Sequence, residues 1–133
     1  MKYLLLLLTL FGLAACENSG ASYMIDGDKN HSISLMREQR WVWSNEVEQK
    51  LVVARYPECQ RRFPVTSGTT DSVDLELYAV RDNLFVARQA KEWWALGTER
   101  CEIQKFEQPP ANPGSLLGKF QLKDGALTFV PKK

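Results

Sequence analysis

Val73-Asp74-Leu75-Glu76-Leu77-Tyr78-Ala79 is the stretch that decides the fold class. Apolar side chains at 73, 75, 77 and 79 alternate with Asp74, Glu76 and Tyr78. In an extended chain successive side chains point to opposite faces, so a period of two describes a strand with one dry face and one wet face. Antiparallel sheets suit that asymmetry, because only one of their faces has to be covered. Arg81-Asp82-Asn83 reads as the turn that follows, and Leu84 to Arg88 as the return strand, with Phe85 and Ala87 on one face. Ala90-Lys91 marks a second tight turn. Glu92 to Leu96 makes a third strand, which Gly97-Thr98 breaks, and Cys101 to Phe106 a fourth.

The same signals continue downstream. Gln108 to Ser115 holds Pro109, Pro110 and Pro113. Proline donates no ladder hydrogen bond, so this segment is a stiff connector and not a central strand. Gly118 to Leu122 then turns Phe120 and Leu122 to one side. Lys123-Asp124-Gly125 carries the Asp-Gly pair that favours a type I′ hairpin, and Leu127 and Phe129 return on the inner face.

Upstream the reading is looser. Ser32 to Glu38 alternates around Ile33 and Leu35. Glu46 to Tyr56 ends in an apolar, β-branched run. A helix over Glu46 to Ala54 competes there, since Val47, Leu51 and Ala54 fall at i, i+4 and i+7. The strand is preferred, because Ser44-Asn45 would join it as a hairpin to an extended Trp41-Val42-Trp43. Pro57 ends that strand. Glu58 to Phe63 reads as one helical turn or a loop, and Thr66 to Asp71 as a polar loop. Glu17 to Asn30 has no sustained apolar period and reads as a tether, with Tyr23 to Ile25 able to dock on the body. The sum is a mainly β chain: a small antiparallel β-barrel or sandwich of about eight short strands, in one domain over residues 31–133.

The first sixteen residues follow a different logic. Lys2 precedes an apolar run from Leu4, and the run ends Leu13-Ala14-Ala15-Cys16. A positive head, an apolar stretch and a small-residue cleavage site make a secretory signal. Leu4 to Ala15 is twelve residues, about 18 Å as a helix, whereas a bilayer span takes roughly 20 residues. Leu13 to Cys16 resembles the lipobox of bacterial lipoproteins. That resemblance implies a signal peptide over residues 1–15, cleaved before Cys16. It further implies that Cys16 carries an S-diacylglycerol and an N-acyl chain, and that residues 16–30 tether the lipid to the body. Several acyl chains are what stable anchoring requires, at about 0.8 kcal/mol per buried methylene. In enterobacterial members an aspartate after the cysteine favours inner-membrane retention. Glu17 stands at that position here, so the resemblance implies the outer membrane, with the domain in the periplasm or on the cell surface.

Loss of residues 1–15 takes Lys2 with it and leaves 16 basic and 16 acidic side chains. A formally neutral body argues against nucleic acid and against anionic lipid heads as bulk electrostatic partners. With Cys16 assigned to lipid, Cys59 and Cys101 remain as an even pair in an exported chain, which predicts a structural disulfide. Closing that loop would contribute about 4 kcal/mol in the chain-entropy model. A zinc site is disfavoured because His31 is the only histidine, and a redox pair because no CxxC is present. No metal or diffusible cofactor is expected.

Three constellations are candidates for function. Trp41, Trp43, Trp93 and Trp94 either fill the core of a small β-domain or anchor a partner, a sugar or a lipid headgroup. Trp93 and Trp94 would point opposite ways in a strand, and exposure of Trp93 with burial of Trp94 would favour a surface site. Arg61-Arg62, beside Cys59, either holds a phosphate or carboxylate, as on lipopolysaccharide or peptidoglycan, or is a solvated pair near Glu58. Asp74 and Glu76 form an acidic pair on a wet face, and a Ser-His-Asp set would have to use His31. No GxSxG, HExxH or phosphate-loop pattern occurs.

The sequence therefore predicts a non-catalytic, outer-membrane-anchored lipoprotein acting as a binding or accessory module for an envelope protein, peptidoglycan or lipopolysaccharide. The alternative is an inhibitor of a lysozyme or other hydrolase. Small lysozyme-inhibitor lipoproteins share the leader, the size and a disulfide, and Val65-Thr66-Ser67-Gly68 is a faint echo of their loop motifs. A small envelope hydrolase is the third class.

Overall fold

A computed structural model describes residues 18–133, so the leader, Cys16 and Glu17 lie outside the described residues. Among the described residues there are ten strands in two antiparallel sheets. The four-stranded sheet has β1 (Asn18–Met24), β2 (His31–Gln39), β3 (Glu46–Arg55) and β4 (Cys59–Thr69), in that spatial order. The remaining strands are β5 (Asp74–Arg81), β6 (Leu84–Gln89), β7 (Glu92–Gly97), β8 (Glu102–Lys105), β9 (Ser115–Lys123) and β10 (Ala126–Pro131). They pair as β10-β9-β5-β6-β7-β8. No ladder joins the two sheets, so the fold is a sandwich and not a closed barrel.

Asp74 to Ala79, within β5, lies at the centre of the larger sheet. Leu75 and Leu77 are fully buried, while Asp74 is exposed and Glu76 half-exposed. Leu75 and Leu77 meet Ile33, Leu35, Leu51 and Val53 from the facing sheet, with Phe85, Trp94, Leu96 and Phe120 completing the core. Burial of these side chains is the main force holding the sheets together, at roughly 25 cal/mol per Å² of apolar surface. The Asp-Gly hairpin forms as expected. Asp124 and Gly125 both have positive φ, 53° and 79°, as a type I′ turn needs. Gly114 closes the proline connector at φ 93°, and a Cβ there would meet the Ala79 carbonyl oxygen at 2.1 Å, so only glycine fits.

The long edges of the sandwich are closed by side chains. Along one, Tyr23 of β1 packs against Phe129 of β10 with ring centroids 5.0 Å apart. Along the other, the expected Cys59–Cys101 disulfide joins the start of β4 to the turn before β8, with Cα atoms 5.9 Å apart. Farther along that edge Glu92 accepts hydrogen bonds from Thr66 of β4 and from Lys105 of β8, the second at 2.9 Å. The Lys105 ammonium and the Thr66 hydroxyl hold the Glu92 carboxyl below the usual carboxylate range.

Three expectations are corrected. Of the tether expected over residues 16–30, the described part is built into the body: Asn18–Met24 is β1, and Ile25–Gly27 is one 3-10 turn with Ile25 buried. The domain thus begins by residue 18, not at residue 31. The sequence signal was diluted because β1 is an edge strand on which Ala21 and Tyr23 are the half-buried residues facing the core. Glu58 to Phe63 is not a helical turn, and the polar stretch after it is not a loop. Both are mostly β4, another edge strand, which presents only Cys59, Phe63 and Val65 to the core cluster and tolerates Pro64 for that reason. Lastly, Trp41-Val42-Trp43 is a loop and not a strand. Ser44 N–H donates to the Trp41 carbonyl at 3.1 Å, which closes a turn where the hairpin was expected to be extended. These differences raise the strand count from about eight to ten.

Candidate functional surfaces

Trp93 and Trp94 are parted by the pleat of β7, as alternation demands. Trp94 is 1% exposed and sits in the core. Trp93 lies half-exposed on the outer face of the six-stranded sheet. Register explains what surrounds it. Glu76 of β5 stands opposite Arg88 of β6, and Arg88 stands opposite Trp93 of β7. The Arg88 guanidinium lies over the indole at 5.3 Å from the ring centroid. Tyr78, one diagonal step away, has its ring 5.8 Å from the same indole. The Tyr78 hydroxyl donates to Glu76, and Glu76 also pairs with Arg88 at 3.8 Å.

The result is a closed ring of four side chains, each held by two of the others, next to the buried Val86, which stands opposite Tyr78. Burial, and then the hydrogen bond to the Glu76 carboxylate, push the Tyr78 hydroxyl above its ordinary pKa. Opposite charges are balanced within the ring, and Lys119 with Asp74 at 3.9 Å extends that balance toward β9. Such a surface loses little side-chain freedom when it is covered. Its tryptophan, tyrosine and arginine are the residue types that dominate protein–protein binding energy.

Trp41 and Trp43 occupy the loop between β2 and β3. Their indoles stack with centroids 5.2 Å apart and planes 21° from parallel. Both are exposed, at 53% and 78%, as is Val42 between them at 47%.

Arg61 and Arg62 are not brought together as one anion site. Both are exposed, but consecutive strand positions send them to opposite faces of β4. Arg62 lines a shallow hollow of about 190 Å³ on the outer face of the smaller sheet, with Met36, Lys50 and Glu48. Val65 to Gly68 lies within β4, so it is a strand segment and not a loop.

His31 borders a hollow of about 490 Å³ at the end of the sandwich near Arg81-Asp82-Asn83. Ser115, Asp26 and Asp82 line the same hollow. Among the described residues no hydrogen bond joins any two of these four, and His31 Nε2 is enclosed without a partner. Among the described residues no group of three or more His, Cys, Asp or Glu side chains is gathered as for a metal ion, and no helix is long and apolar enough to cross a membrane.

The sequence reading missed two structurally central polar residues. Arg37 and Gln49 are 1% and 2% exposed at the opposite end of the sandwich from His31. Arg37 Nε donates to Gln49 Oε1 at 3.2 Å, and Nη2 donates to the Thr69 carbonyl. Gln49 Nε2 donates to the Thr66 carbonyl at 2.8 Å and to Gln89 Oε1 of the other sheet at 3.1 Å. This network seals that end and ties the sheets together. The one signal for it was that both residues fall on the inward-facing phase of their strands, continuing Ile33-Leu35 and Leu51-Val53.

Comparison of the chain with protein-family models, with curated proteins and with solved structures returned no match.

Proposed function

We propose that this protein is an outer-membrane lipoprotein, anchored by a lipid on Cys16, that serves the cell envelope as a non-catalytic protein-binding module. Its binding face is the outer surface of the six-stranded sheet, and Trp93, Tyr78, Arg88 and Glu76 are the contact residues. The observation that carries the reading is the interlocked ring of those four half-exposed side chains, already held in place by one another. A surface of mixed charge with an aromatic centre suits a protein partner better than a polyanion, which would need unbalanced basic charge. The placement of Arg61 and Arg62 on opposite faces of β4 supports a protein partner over an anion gripped by both guanidiniums.

The test is capture of the full chain from envelopes cross-linked in situ, comparing the native protein with Trp93→Ala and Arg88→Ala. A partner recovered with the native chain and lost with both variants supports the reading. Recovery unchanged by the variants places the contact elsewhere. Titration of lysozymes with the same protein addresses the alternative. Stoichiometric inhibition that Trp93→Ala abolishes would identify the partner as a hydrolase and the module as its inhibitor.

A further inference from the structure

We propose that the Trp41-Val42-Trp43 loop is a second, apolar membrane contact, which seats in the interface of the leaflet that holds the Cys16 lipid and sets the orientation of the domain. The inference rests on the lipid-anchor reading. It starts from register. Asn18 pairs with Glu38, so the chain leaves toward Cys16 at the same end of the sandwich as the β2–β3 loop. Cys16 is two residue steps from Asn18, at most about 7 Å, and Trp41 is three steps from Glu38, about 10 Å. An anchored Cys16 therefore holds the loop within reach of the bilayer surface whatever path that short link takes.

The loop has the chemistry of that surface. Two stacked indoles and a valine stand exposed in succession, and amphipathic indole rings partition to the headgroup level of membranes. Contiguous exposed apolar surface of this kind marks a contact site. Charge does not compete. The neighbouring Arg40 is paired with Glu48 at 3.5 Å, which leaves the tip apolar and not cationic. Nor is the exposure an accident of a loose loop. Thr70 N–H donates to the Asn45 carbonyl at 2.9 Å, Glu46 N–H to Ser44 Oγ at 3.1 Å and the Gln39 amide to the Ser44 carbonyl, so the base is fastened to β4 and β2. The opposite end carries exposed Asp26, Asp28, Lys29, Asp82, Glu99 and Arg100 and would face away from the lipid.

The experiment uses the full chain purified from envelope membranes and reconstituted in phosphatidylethanolamine–phosphatidylglycerol vesicles that carry brominated acyl chains. Intact mass reports the lipid on Cys16, and tryptophan emission reports the loop. With the lipid present, bromolipid quenching and a blue shift are expected in the native chain, lost in the double variant Trp41→Ser/Trp43→Ser and retained in Trp93→Ser. Added salt should not change the quenching, because the contact is apolar. Lipidated protein that is not quenched, or is quenched equally in the double variant, overturns the inference and leaves the anchor standing. A mass without lipid overturns the anchor reading and, with it, this one. Retention of the disulfide and of near-ultraviolet dichroism in the double variant shows that any loss of quenching is not a loss of fold.

Discussion

The chain contains two pairs of tryptophans close in sequence, and they meet opposite fates. Trp93 and Trp94 are adjacent in a strand, and one is buried while its neighbour faces outward. Trp41 and Trp43 are separated by one residue, which in a strand would put them on a common face. They do end side by side, but stacked in a loop and exposed. The difference teaches that the backbone, not the indole, decides what a tryptophan does here. In β7 the pleat and the facing sheet divide the pair between core and surface. In the β2–β3 loop no layer lies beyond the tip, so the two rings cover only each other.

The sharpest break in that comparison is stability. Trp94→Ala should destabilise the fold by about 3–5 kcal/mol in urea titration, through lost transfer energy and the cavity left behind. Trp93→Ala should cost less than about 1 kcal/mol, mainly the cation–π contact with Arg88, while abolishing capture of the partner. Equal losses would mean that the two faces of β7 are not divided as described.

Replacing the disulfide, as Cys59→Ser with Cys101→Ser, should cost about 2–5 kcal/mol, because the unfolded chain regains the freedom of a long loop. It releases β4 from the β8 side at one end and leaves the Thr66–Glu92–Lys105 contact at the other. Arg37→Ala should cost about 3 kcal/mol, since the buried Gln49 amide and the Thr69 carbonyl lose a charged donor. Hydrogen exchange would distinguish the two. The first change should loosen β8 and the start of β4, the second the ends of β2 and β4 near the tryptophan loop.

Smaller effects probe the outer face. The Tyr78 hydroxyl keeps its proton more tightly in the folded state than in the unfolded state. Its contribution to stability is therefore complete below the unfolded tyrosine pKa of about 10 and is lost as pH rises through the higher folded value. Spectrophotometric titration should show one tyrosine that ionises late, and Glu76→Gln should move it back toward the ordinary range. Smallest of all, Trp41→Ser/Trp43→Ser should leave stability within about 0.5 kcal/mol of the native chain, as for exposed sites elsewhere. A large loss there would show the loop packed against the body and remove it as a membrane contact.

The strands most legible in the sequence were those with one face on the core and one in water. β5, β6, β7 and the β9–β10 hairpin carry that period and the turn residues between them, and Asp124-Gly125 forms the turn its chemistry prefers. β1 and β4 were not legible for the converse reason. An edge strand satisfies its backbone through one neighbour and presents few side chains to the core, so Gly20, Arg61, Arg62 and Pro64 are tolerated and the period fades.

Of the proposed binding surface, the sequence marked Trp93 and the acidic Glu76 but not their association. Tyr78 and Glu76 share a strand face by spacing alone. Arg88 joins them only because β6 is paired in one particular register, and Trp93 only because β7 is paired in another.

By itself the sequence determined the class of fold, the pairing of Cys59 with Cys101 and the opposed directions of Trp93 and Trp94. Each follows from a local rule: the period of two, the count of cysteines left for pairing, the pleat. Only the tertiary structure decided that the sheets form a sandwich, that Arg37 and Gln49 plug one end of it, and that the start of β1 emerges beside the tryptophan loop. These depend on which strands become neighbours and in what register, and pairing between distant segments is set by the joint burial of both sheets rather than by any one stretch of chain.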